Sequence, residues 1–350
     1  MVMYRQYAMD HRLAVSTKIS RRGRCRPSPL RNEVKEMDES DIRVVRVQNN
    51  LFEAPLEFFS QMPPEVLEII AFHSGKGMSS ADPIVLSGHT APQFRLLLSA
   101  FNAYPQLDFR KFSLFQLLSL SELSCHYGLQ NLRSWCLGAF FTVVNCQDSP
   151  LRTASHLLVF RMMKLALTFR HRASVLSIQN QWVRRLLLHE LPALPALLLA
   201  EQHGLRHLLG HAYYAYLIHV RPRLLEVCDP SFKHLSIKQK MHLREGYHSL
   251  LVYSKHLYAT APTLERAKGC KFHMQCVSAW KMWWGSAAER PCAAPDIDII
   301  SRLSHIEKIL EDDSLLGVYL TSECRILALE SVSKKQTEFT SNLHHHFDLA

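Results

Sequence analysis

The chain has 350 residues, of which 47% are hydrophobic and 21% charged, and a formal net charge of +10. That apolar share supports a sizeable core and excludes a chain that is disordered throughout. No run reaches the ~18 apolar residues that a membrane helix needs, so no membrane partner is expected.

The charge is uneven. Residues 1–33 hold Arg5, Arg12, Lys18, Arg21, Arg22, Arg24, Arg26 and Arg31 against Asp10 and Glu33, which is more than half of the net charge. The body is close to neutral, which argues against a broad nucleic-acid-binding face on the fold. Nine cysteines at irregular spacing read as reduced intracellular thiols, in nucleus or cytoplasm.

Residues 1–40 are basic, then acidic, with a poor apolar pattern, and are expected to be a disordered tail. The run Arg21-Arg22-Gly23-Arg24-Cys25-Arg26 fits a solvated basic tail, a nuclear-import signal or part of an organelle presequence. Ile42, Val44 and Val47 then predict an extended stretch that continues to Ala54 and stops at Pro55, which cannot donate to a ladder. These first strands read as short. Phe58 and Phe59 open a helical face, and Pro63-Pro64 starts a second helix, Pro being favoured at a first helical position. Residues 74–80 hold two glycines and a lysine but lack the spacing of a phosphate-binding loop, and read as a turn.

Ile84, Val85 and Leu86 predict a short strand. Thr90 with Gln93 three residues on matches a capping box. Phe94, Leu97, Leu98 and Phe101 then fall at i, i+3, i+4 and i+7, one apolar stripe. From about residue 112 nearly everything reads as helix. Leu123 to Cys136 and Leu199 to Ala212 share one outline: a helix, a glycine cap at Gly128 or Gly204, and a new helix. Further helices are expected over 157–169, 181–191, 196–203, 235–260, 268–285 and 297–310, with a linker at Pro291 and Pro295. A last helix should run from Thr321 to Phe339, and His344-His345-His346 should form a polar tail.

The fold class is α+β, mostly α. Residues 41–141 resemble a BTB/POZ domain: the Ile84-x-Leu86 strand, the Phe94, Leu97, Leu98, Phe101 stripe, then Leu117, Leu118, Leu120, Leu123, Tyr127, Leu129, Leu132 and Cys136. Leu199 to Leu205, Cys276 with Trp280, and Cys324 to Leu329 look like the helical tail of a large fungal group of BTB-domain proteins. The resemblance implies a BTB/POZ-like domain at 41–145, a small sheet capped by helix hairpins. An all-α domain at 150–350 follows it. It implies a module that binds protein partners, including a second copy of itself. Three departures stand in the residues. The first strands read as short, which leaves the family's dimer-forming N-terminal part incomplete. Glu53 to Phe59 occupy the place of the family's His-x-x-x-Leu element, without the His. Phe94-Arg95-Leu96 replaces the hydrophobic-x-Glu triplet of members that recruit a cullin ligase, so a cullin partner is not implied.

Candidate chemistry is sparse. Cys270-x-x-His273-x-x-Cys276 is the one metal-like spacing, but zinc wants four ligands, and Cys292 or His256 would have to complete it. On one continuous helix the three residues also spread around the axis. Core or surface roles are therefore expected for them, as is core packing for Cys136 and Cys324, and no metal or cofactor is assigned. Trp280, Trp283 and Trp284 fit an ordinary helical core face better than a stacking platform. No Gly-x-Ser-x-Gly element and no His-Glu-x-x-His element occurs, and no enzyme activity is expected.

The expected function is a non-enzymatic protein-interaction module, a scaffold or adaptor. Phe94, Leu97, Leu98, Phe101, Leu117 and Leu120 are expected to line its apolar groove. Two alternatives stay open: a nuclear DNA-associated regulator acting through the basic tail, and a ubiquitin-ligase substrate adaptor.

Overall fold

The structure, a computed structural model, describes residues 42–73, 75–220 and 234–349. The expected disordered tail and its basic run lie outside the described residues. The described part combines a small three-stranded sheet with a large, mostly helical region. No helix among the described residues is long and apolar enough to cross a membrane.

The first extended stretch is a hairpin rather than one strand. β1 (Ile42–Val47) and β2 (Asn50–Pro55) pair antiparallel, with Val47 opposite Asn50. Gln48 bends the chain with a φ of 55°, a conformation that non-glycine residues adopt in turns. Both strands have six residues, so they are not short; β3 (Ile84–Leu86) is the short one. β3 lies parallel to β1, and the strand order is β2-β1-β3. Period-two alternation puts Val45, Val47, Ala54, Ile84 and Leu86 on one face, and all are buried. Between β2 and β3 run α1 (Leu56–Ser60) and α2 (Pro64–Ile69).

Phe58 of α1 is the hub under this sheet. It meets Phe59 and Phe101 edge-on, each at 5.3 Å between ring centroids, and Phe94 at 6.0 Å. Edge-to-face pairs set the positive rim of one ring against the negative face of the next. α3 (Ala91–Ala103) begins with the expected capping box: the Thr90 side chain accepts from the Gln93 N–H, and Gln93 accepts from the Thr90 N–H at 2.9 Å. Gln48 Oε1 accepts from the Ala91 N–H at 3.2 Å and so ties the hairpin turn to this helix.

α4 (Leu114–His126) and α5 (Gln130–Asn145) form a helix hairpin at Gly128. Gly128 has a φ of 66°, and a Cβ there would lie 2.5 Å from the Pro63 ring. Both the turn and the close approach of α2 therefore require glycine. The helical region continues with α6 (His156–Thr168), α7 (Arg172–Leu187), α8 (Ala193–Gln202) and α9 (Arg206–Val220). It ends with α10 (Ile237–Ala259), α11 (His273–Glu289), α12 (Ile299–Asp312), α13 (Leu316–Tyr319) and α14 (Ser322–Ser341). Trp280 and Trp284 of α11 are buried, and their indole N–H groups donate to the Pro262 and Leu257 carbonyls.

The histidine run differs from its expectation, because it is not a tail. It sits in a 3₁₀ turn over Leu343–Phe347, whose ends, Leu343 and Phe347, are fully buried. A Cβ at Gly210 of α9 would lie 2.8 Å from the His344 backbone, so the absence of a side chain there is what lets the turn dock.

The described residues form one compact unit, and its apolar core runs from Val45 to Phe347. The segment around 145–154 lies within that unit. Arg185 is buried beside it and donates to the Leu151 and Ala154 carbonyls at 3.0 and 2.6 Å and to Glu190 at 2.8 Å. Arg161 of α6 reaches both carboxylate oxygens of Glu122 on α4, at 2.6 Å each.

The two arginines predict different costs. Arg185→Ala strands two buried carbonyls and should lower unfolding free energy by about 3 kcal/mol. The Arg161–Glu122 pair is partly exposed, so Arg161→Ala should cost only about 1 kcal/mol. Urea denaturation followed by circular dichroism checks the order.

Stability should also fall with acid. Burial pushes His211 down to about 4, and the charges of His207 and His344 act in the same direction against a hydrogen bond to the His207 carbonyl. A lowered folded value means that the unfolded chain takes up the proton first. The stability is complete above the ordinary histidine value of about 6.5 and is lost as pH falls towards 4, by up to roughly 3 kcal/mol. Urea midpoints between pH 7.5 and pH 4.5 measure it, and His211→Asn should flatten the profile.

Candidate functional site

The residues of α3 and α4 expected to line a partner groove are turned into the core. Phe94, Leu97, Leu98, Leu117 and Leu120 are buried in the chain's own core, and Phe101 is partly buried against it. The stripe on α3 faces the aromatic hub and α4. The surface of this region is therefore formed by other residues.

The sheet supplies one such surface. The alternation that buries Val45 and Val47 turns Arg46 outward. The register sets Arg46 opposite Leu51 of β2 on one side and opposite Val85 of β3 on the other. Leu51 is 51% exposed and Val85 47% exposed. Glu53, opposite Val44, is on the same outward face and diagonal to Arg46. Two apolar side chains thus flank a cation, with an anion one step along. Periodicity alone is enough to find these residues: once the hairpin is placed, odd and even positions separate.

A second site is built by α11, α14 and the segment before α11. The expected helix at 268–285 starts only at His273, so Cys270 lies ahead of it and Cys276 lies in its first turns. This removes the angular spread that a continuous helix would impose. Cys324 enters from the first turn of α14, which Thr321 caps by accepting from the Cys324 N–H. The three thiols are 4%, 2% and 0% exposed for Cys270, Cys276 and Cys324. Their sulfurs all lie within 4.8 Å of one another, and the Cys270 and Cys276 Sγ atoms are 3.8 Å apart. The Gly269 N–H donates to Glu323 Oε2 at 3.3 Å, which ties the segment before α11 to the start of α14.

Burial pushes the Cys276 thiol up. At Cys270 burial acts the same way. Hydrogen bonds from the Cys324 and Cys276 thiols, the Phe272 backbone and the Thr321 hydroxyl outweigh it, and the thiol falls below its ordinary value. Neither Cys292 nor His256 belongs to the cluster. His273 has a buried Nδ1 with no hydrogen-bond partner. Cys324 is buried, as its apolar setting in the sequence implies, but it also faces two other thiols.

A groove near α10 and α14 is lined by Tyr253, His256, Glu265, Lys334, Lys335 and Glu338. Its charges already pair within the chain, Lys334 with Glu265 at 3.1 Å and Lys335 with Glu338 at 3.8 Å.

Compared with known proteins, the chain matches no family model, no curated sequence and no solved structure.

Proposed function

We propose that the chain is a BTB/POZ-like protein-interaction module that works as a scaffold or adaptor and takes a second copy of itself as partner. The observation that carries this is the outward face of the sheet, where exposed Leu51 and Val85 flank Arg46. The BTB/POZ part of the reading is supported by the order of elements: a hairpin, two short helices, a strand parallel to β1, a capped helix and a helix hairpin. It draws no support from a match to a solved structure.

A two-fold contact presents the same patch from both copies, so the patch must complement itself. This face does. Arg46 of one copy can meet Glu53 of the other, while Leu51 and Val85 lose their exposure to water on both sides. β2 is also an edge strand of the sheet, and an edge presents unpaired backbone groups to an added strand. A ligase-adaptor role has less support. Leu96 stands where the acidic residue would be, and it packs partly against the core.

The full chain should run in size-exclusion chromatography with light scattering at twice its 40.3 kDa mass. Leu51→Glu with Val85→Glu leaves the core untouched and should raise the dimer dissociation constant about a hundredfold, roughly 2.7 kcal/mol. A wild-type chain that stays monomeric at every concentration contradicts self-association.

A further inference from the structure

We propose that Cys270, Cys276 and Cys324 bind one zinc ion, with His273 as the fourth ligand. Distance is the first support. Sulfurs bound to tetrahedral zinc at about 2.3 Å lie about 3.8 Å from each other, and Cys270 and Cys276 have this separation. Cys324 completes a set within 4.8 Å. A tetrahedral, sulfur-rich donor set selects zinc over hard oxygen-seeking cations.

Electrostatics points the same way. α11 and α14 both present their first turns to the cluster. Helix N-termini carry partial positive charge, which favours thiolates over thiols. Arg266 donates to the Cys270 carbonyl at 3.4 Å and so sets a positive charge beside the cluster. On binding, the three thiols release their protons to solvent and each sulfur donates an electron pair to the metal.

The fourth position comes from an orphan. His273 Nδ1 is buried without a partner, and the residue sits between Cys270 and Cys276 on the first position of α11. Its ring nitrogens lie outside the three-sulfur cluster, so ligation requires the side chain to turn towards it. The Glu323 bond to the Gly269 N–H holds the Cys270 segment against α14, as supporting bonds do around ligands. A bound ion would link residues 270 and 324, far apart in sequence, and so fix α14 to α11.

The test uses the full chain, produced with zinc in the medium and purified without chelators. Elemental analysis should find about one zinc per chain, released by a mercurial that caps thiols. Cys324→Ser should lose it, whereas Cys146→Ser, at an exposed position outside the cluster, should keep it. Removal of zinc should shift the thermal midpoint down by several degrees. If Cys324→Ser does not fold, cobalt exchanged into the wild-type chain gives the same answer. Thiolate-to-cobalt charge transfer should appear, and His273→Gln should change the visible ligand-field bands while leaving that charge transfer in place. A metal-free wild-type chain in which all nine cysteines titrate as free thiols after unfolding overturns the proposal. So does a Cys270–Cys276 disulfide in non-reducing peptide mapping, or the absence of charge transfer with cobalt.

Discussion

Helix α9 is enclosed along most of its length, and the other helices of the region are arranged so as to enclose it. Leu208, Leu209, Ala212, Tyr213, Tyr214, Ala215, Tyr216 and Leu217 are all buried. A helix that is apolar all round cannot sit on a surface, so every direction around it needs a neighbour. α7 and α8 supply two sides, α10 a third and the Leu343–Phe347 turn a fourth. Tyr213 stacks on Phe347 at 5.3 Å, and Gly210 gives the turn room to approach. Tyr214 donates to Asp298 Oδ1 at 2.9 Å and accepts from the Ile300 N–H at 3.0 Å, so the start of α12 is fixed to α9 as well. Loss of any one neighbour would expose apolar surface worth ~1.5–3 kcal/mol for each large side chain.

The sheet end is organised differently. Its core is an aromatic cluster around Phe58, and it meets the helical region through α4 and α5. The polar clamps at Arg161 and Arg185 lie at this seam. Arg161 ties α6 to α4, and Arg185 ties α7 to the 151–154 segment that follows α5. Fold and proposed function connect at this point: a docking surface is useful only on an element that does not move.

What can be read from the sequence is mostly local. The Thr90–Gln93 capping box, the glycine turns at Gly128 and Gly204, and the Thr321 cap follow from residues a few positions apart, and all are present. The hairpin at Gln48 is marked only by Asn49 and Asn50, which favour turns, and without a glycine it reads as a continuation of the strand. The histidine run reads as a tail because its polarity hides the Leu343 and Phe347 pair, four residues apart, which is the available signal. The Cys270 and Cys276 spacing is visible, but its meaning depends on two things the spacing does not contain. One is the helix start at His273, and the other is the arrival of Cys324 from another helix. The stripe from Phe94 to Phe101 is legible as a face that must be buried; whether the chain itself or a partner buries it is decided by tertiary packing. In the structure the chain itself does so.

Sheet and helices share one core, and the proposed docking face stands on it. Hydrogen exchange with mass spectrometry on the full chain tests this most directly. One cooperative unit predicts that β1, β3, α4, α9 and α11 share the same, highest protection and lose it together as urea is raised. Exchange of β1 and β3 at much lower urea than α9 and α11 would contradict it, because the sheet would then be a separate, weaker unit.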